Sequence, residues 1–219
     1  MLRSLLAALS TVTVLAVVAV QTPAYATHEV DSMVPTTTYH PICLGTTDLL
    51  SGMVCQTDNA NVYWYADSND PGELEDNDVA SLENMLSTQY APTDLAIYYD
   101  GSPVFSGTAQ TDIVYQESED ALPLPSGYRG WTWCNDDVST EAYACDQQYV
   151  RIQSPDGYRI FGGGLACHET GHAVGLLHGA QAYPVLPSTD GRFGCMMNEI
   201  YELPYYLGSD QVHQINNTY

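Results

Sequence analysis

The sequence predicts an α+β domain. Three observations carry that reading. Short aromatic and β-branched runs bounded by turn residues recur five times, an amphipathic helical stretch follows the first of them, and a glycine-led helix follows the last. The order is strand, helix, three or four strands, helix, an irregular segment and a short final helix.

The first strand is placed at 61–66, where Asn-Val-Tyr-Trp-Tyr-Ala is short, aromatic and β-branched. A helix is placed at 73–90. Val79, Leu82, Met85 and Leu86 recur at helical spacing, and acids crowd the first turn, where the helix dipole favours them. Strands follow at 95–99, 112–115, 130–134 and 148–152. Gly162, Gly163 and Gly164 then introduce a helix beginning near Leu165. The last helix starts at Ser209 or Asp210, both good N-caps, and runs to about Ile215.

The N-terminus is organised differently. A single positive charge at Arg3 precedes an apolar run from Leu5 to Val20, which ends at Ala24-Tyr25-Ala26. This is the layout of a secretory signal peptide over 1–26, cleaved after Ala26, and it predicts a secreted, extracellular protein. Residues 27–59 read as a polar N-terminal extension stapled by disulfide, and 60–219 as the functional domain. All six cysteines (Cys43, Cys55, Cys134, Cys145, Cys167 and Cys195) follow the signal segment. An even number in an exported chain predicts three disulfides, with several pairings open.

The chain has five Arg, no Lys and 27 acidic residues, for a net charge of −22. Such a surface repels nucleic acid and anionic membranes, so neither is expected as a partner. Asp67-Ser68-Asn69-Asp70 with Glu73 and Glu75 offers the oxygen ligands that Ca2+ takes. The spacing does not match an EF-hand, and the segment reads better as a solvated turn before a helix.

The chemistry concentrates at 168–178, His-Glu-Thr-Gly-His-Ala-Val-Gly-Leu-Leu-His. On a helix, His168 and His172 lie about 40° apart on one face, one turn from each other, and can share a metal. Glu169 sits on the adjoining edge, within reach of a metal-bound water, where a general base belongs. On a continuing helix His178 would be rotated about 240° from His172 and carried about 9 Å along the axis. The helix must therefore end between them. Gly175 stands where the left-handed conformation that ends helices is needed. Three neutral imidazoles leave a coordination position open, the arrangement of a catalytic Zn2+ site.

This motif, HExxHxxGxxH, resembles the consensus of the metzincin metalloproteases, which include matrixins, astacins, serralysins and reprolysins. The resemblance implies a zincin-like α+β fold: a twisted, mostly parallel sheet of about five strands, an active-site helix across one face, a Met-turn and a C-terminal helix. It implies one catalytic zinc on His168, His172 and His178, with Glu169 as the acid/base of a zinc-dependent endopeptidase. The Met-turn falls at Gly194-Cys195-Met196-Met197-Asn198, with Met197 as the expected floor of the site and Met196 as the runner-up. Glu199 occupies the position where astacins and serralysins carry a tyrosine, and the nearest tyrosine is Tyr201. A Met-turn beneath the zinc also brings Cys195 towards Cys167. That pairing is the expected one, with Cys43–Cys55 and Cys134–Cys145 as local companions. A peptide or protein substrate would bind a monomer, extended along an edge strand near 130–134. The competing class is a non-catalytic secreted binding protein on the same scaffold; the presence of Glu169 argues against it.

Overall fold

Alternation along the first long strand sets the sheet's two faces. In β2 (Asn61–Ala66) Val62, Trp64 and Ala66 are buried, while Tyr63 is 46% exposed. A computed structural model describes residues 30–44, 52–107, 109–153, 163–198 and 204–219 of the chain. The expected signal segment, 1–26, and Gly162 lie outside them.

The described elements are β1 (Gln56–Thr57), β2, α1 (Asp76–Met85), β3 (Ala96–Tyr99), β4 (Ile113–Ser118), β5 (Gly130–Asp137), β6 (Ala144–Gln153), α2 (Gly164–Ala173) and α3 (Ser209–Thr218). The six strands form one sheet. The order β1-β6-β4-β2-β3 is parallel throughout, and β5 adds to β6 in antiparallel fashion. The architecture is α+β: a mostly parallel sheet with three helices. Among the described residues no helix is long and apolar enough to cross a membrane.

The core lies between the sheet and helices α1 and α2. Ile113 and Tyr115 of β4 and Val150 and Ile152 of β6 face Leu82, Leu86, Tyr90, Ala166 and Ala173. Helix α1 is the crossover between the parallel strands β2 and β3, and α2 follows β6; together they cover the sheet's inner face. The opposite face carries aromatic pairs across neighbouring strands, Tyr63 on Tyr98 at 5.2 Å and Trp133 on Tyr149 at 5.2 Å.

Several expected boundaries shift. The helix expected at 73–90 starts at Asp76, and its last five residues, Leu86–Tyr90, are wound as a π-helix. The hydroxyls of Ser87 and Thr88 donate to the Asn84 carbonyl at 3.0 and 2.7 Å and compete with its regular partner. Strands β5 and β6 run longer than expected at 130–134 and 148–152, because each is the other's antiparallel partner and the Cys134–Cys145 disulfide joins them. A sixth strand, β1, lies in the segment read as an irregular extension. That segment is built into the domain. Val30, Met33 and Val34 are almost fully buried, and Asp31 and Met33 bridge to Tyr183 and Leu176. The loop weighed as a calcium site is a turn: Asp67 accepts from the Asn69 amide and from Gln116.

Three disulfides are present, Cys43–Cys55, Cys134–Cys145 and Cys167–Cys195, and none of the six cysteines is free. Such bonds are typical of extracellular proteins. The last closes a segment of 28 residues, worth about 3–4 kcal/mol in the chain-entropy picture.

Asp112 shows how the acidic composition meets the core. It is 4% exposed and accepts the Tyr63 amide. Burial, with Asp58 and Asp146 nearby, pushes its carboxyl up to about 7, against the opposing pull of the Tyr63 N–H. The folded state therefore holds this proton more tightly than the unfolded chain. Its contribution to stability is present at low pH and lost as pH rises from about 4 to 7. Asp112→Asn keeps the acceptor and removes the titration. The variant is expected to melt higher than wild type at pH 8 and to show a smaller gain on acidification to pH 5. Parallel melting curves across that range would contradict it.

Candidate metal centre

Helix α2 is buried on nearly every side, so its polar side chains must find partners inside the protein. His168 and His172 project from one face of it, and His178 returns to them from beyond the helix end. Their Nε2 atoms converge: His178 to His168 at 2.9 Å and His178 to His172 at 3.0 Å. A tetrahedral ion with Zn–N distances of about 2.0–2.1 Å would space its nitrogens by about 3.3 Å. The cluster is thus close to the size of a metal site.

The outer nitrogens decide which atoms face inward. His168 Nδ1 donates to the Cys195 carbonyl at 2.7 Å, and His172 Nδ1 to the Leu176 carbonyl at 2.9 Å. A carbonyl can only accept, so each Nδ1 carries the proton and each Nε2 keeps its lone pair for a cation. Burial pushes His168 down to about 4. Burial and the neighbouring His168 push His178 to about 3, and burial, His178 and His168 hold His172 well below the ordinary value. The three imidazoles are neutral, as ligands must be.

The turn that brings His178 back is the one expected at Gly175. The helix ends at Ala173, Gly175 has φ +92°, and the Leu176 amide donates to the Gly171 carbonyl at 2.8 Å. A side chain at Gly175 would also meet Gln56 Cγ and Met33 Sδ at 2.9 Å.

Glu169 is 5% exposed beside the histidines. The Thr132 hydroxyl lies 2.8 Å from its Oε2 and 2.9 Å from its backbone carbonyl. Burial raises the carboxyl to about 8, against the lowering hydrogen bond from Thr132. The edge strand β5 accommodates it because residue 130 is glycine: a Cβ there would sit 2.5 Å from Glu169 Oε1. All of this opens into a cleft of about 580 Å3 whose walls include Tyr128, Trp131, Leu165, Met197 and Tyr205.

The floor differs from the expectation. Met196, not Met197, is the fully buried methionine, and its Sδ fills the space beside Gly171, between the two helical histidines. Met197 is only partly buried and lines the cleft. The Cys167–Cys195 disulfide holds the neighbouring Cys195 against α2. Gly171 is required by the same contact, because its Cβ would stand 2.1 Å from that sulfur. Sequence reasoning also missed Thr132, Gly130 and Gln148, whose amide donates to the Cys55 and Ala173 carbonyls. Their partners are distant in the chain, and no local pattern marks them. Glu199 and Tyr201 lie outside the described residues. Elsewhere among the described residues, Glu75, Asp78 and Glu117 gather within 4.8 Å of one another, as acids often do without an ion.

Compared with known proteins, the chain matches no family model and no curated protein. His168, His172 and His178 form a three-histidine group close enough to bind one metal ion.

Neutral buried histidines have a cost under acid. The unfolded chain takes up these protons near the ordinary value of 6.5, and the folded metal-free protein only near 4 or below. Stability from these groups is present above about 6.5 and lost as pH falls towards 4. Metal-free wild type is therefore expected to lose melting temperature relative to metal-free His172→Gln across that window. A constant difference between the two would count against the protonation states given above.

Proposed function

We propose that the protein is a secreted zinc-dependent endopeptidase of the metzincin type. The observation that carries the proposal is the buried carboxylate of Glu169, fixed by Thr132 beside three converging imidazole nitrogens at the bottom of an open cleft. A structural metal site has no use for a raised acid at the wall of an open cleft. The donor set fits zinc: three neutral nitrogens, with no fourth protein ligand among the described residues. Secretion is supported by the three disulfides and the signal-like N-terminus.

When bound, zinc would supply a Lewis acid that polarises a peptide carbonyl and acidifies water beside it. The remaining chemistry belongs to the chain. Burial raises the Glu169 carboxyl in the metal-free protein, and a cation held beside it by the three imidazoles would favour the ionised form, which can accept a proton from water and return it to a leaving amine. Thr132 holds one carboxylate oxygen, leaving Oε1 towards Gly130 and the substrate edge.

β5 suits a peptide strand. Among the described residues it pairs only with β6, and the Gln153 amide donates to the Arg129 carbonyl at 2.7 Å. Antiparallel pairs alternate, so the backbone groups of Gly130 and Thr132 point to the open edge. A substrate paired there would pass alongside Glu169 by β-augmentation.

Glu169→Gln is expected to lower hydrolysis of a peptide library by about 10²–10⁴-fold with zinc content unchanged. Near wild-type turnover would remove Glu169 from the mechanism. Gly130→Ala, which thrusts a methyl group at Oε1, is expected to lower kcat by about 10²-fold, again with zinc retained. An unaffected kcat would show that the close approach of β5 to Glu169 is not needed.

A further inference from the structure

The third histidine differs from the other two in how it is held. His168 and His172 sit on a helix and have their Nδ1 atoms tied to carbonyls. His178 lies on a loop, and among the described residues no carbonyl orients its ring. Something else must fix the loop. Residues 31–38 run along it and are bonded to it at both ends. The Asp31 amide donates to Tyr183 O at 2.8 Å, and the Tyr183 amide returns to Asp31 O at 2.7 Å. Leu177 donates to Ser32 O at 2.8 Å, and Val34 to Gly175 O at 3.0 Å. The hydroxyls of Thr36 and Thr38 both donate to the Gln181 carbonyl, at 2.8 and 3.0 Å. Gln181 in turn accepts the His178 amide through its side chain at 3.4 Å and donates its own amide to the His178 carbonyl at 2.9 Å. The Gln56 side-chain amide, on β1, donates to the Val34 carbonyl and fastens the segment to the sheet.

We propose that residues 31–38 are a positioning strap for the third metal ligand, acting through Gln181, so that docking of this N-terminal segment sets the protein's affinity for its metal. The inference rests on the reading that His168, His172 and His178 hold one metal. The physical basis is a population argument. A ligand on a free loop of this length samples many conformations, and apparent affinity falls in proportion to the fraction of time it spends in place. The strap keeps that fraction near one. It also makes the N-terminal segment a point of control: whatever lifts or trims residues 31–38 loosens the metal without touching a ligand.

Thr36→Val/Thr38→Val removes the two hydroxyls at Gln181 with little change of shape. Thr36→Ser/Thr38→Ser keeps them, and Leu82→Val weakens the core within α1, away from the strap. The zinc dissociation constant of each purified protein is measured by competition with a chromophoric chelator, and amide exchange at Leu177 and Tyr183 is followed in the metal-free forms. The valine variant is expected to bind zinc about tenfold more weakly, the lower end for groups that act on a ligand through an intermediary. It is also expected to exchange faster at both amides. The serine variant is expected to match wild type, and Leu82→Val to lower the melting temperature with zinc affinity unchanged. A valine variant that binds zinc as tightly as wild type, or weakens no more than Leu82→Val, overturns the strap. Wild-type protein that binds no zinc overturns the metal site beneath it, a result seen before any variant is compared.

Discussion

Three neutral imidazoles converging in a buried place, with the Nε2 of His178 about 3 Å from those of both His168 and His172, are the constraint around which this protein is arranged. Aligned lone pairs repel, and burial removes the water that would separate them. The arrangement persists only where the surrounding chain holds it, and where a cation can enter to reverse the sign of the interaction. The surrounding parts meet that demand. Two carbonyls fix two rings, Met196 fills the space beside Gly171, Gly175 reverses the chain, and the Cys167–Cys195 bond clamps the helix to the segment below it.

The same helix serves the sheet and the site. Tyr90, at the end of the π-helical turn, donates its hydroxyl to the Cys167 carbonyl at 2.6 Å, and Tyr115 of β4 meets the Thr170 hydroxyl at 2.9 Å. Tyr219, which caps the last helix, donates to Val174 O at 3.0 Å, just where α2 ends. Burial raises all three phenols, so they remain neutral. Helix α2 is therefore fixed along its length by hydroxyls from three different elements. That rigidity lets two histidines and a glutamate hold their relative places.

What could be read in the chain was local. Helical spacing gives His168 and His172 a common face, and a turn is forced before His178 with a glycine in position to make it. The strand at 61–66 was legible because its aromatic and β-branched residues form a short run that favours a pleated, half-buried strand. What could not be read depends on residues that approach from afar. Gly130 matters because Glu169 occupies the place of its absent side chain, and the two are 39 positions apart. Thr132 is an ordinary strand threonine until α2 lies over it. Met196 and Met197 are alike as neighbours in the chain, and only packing tells them apart: Met196 is buried against Gly171, and Met197 lines the cleft. The segment 31–38 has neither strand nor helix periodicity, because its bonds go to a loop and not to a repeating element.

The disulfides have a consequence for how the protein is made. They are consecutive: first cysteine with second, third with fourth, fifth with sixth, enclosing segments of 12, 11 and 28 residues without crossing. A polypeptide emerges from its N-terminus, so each odd-numbered cysteine finds its native partner as the next thiol to appear. Closure of short segments is fast, and no earlier thiol is left unpaired to compete. Oxidation in order of emergence thus gives the native isomer directly. The one long closure comes last, when the sheet that receives α2 has already been translated.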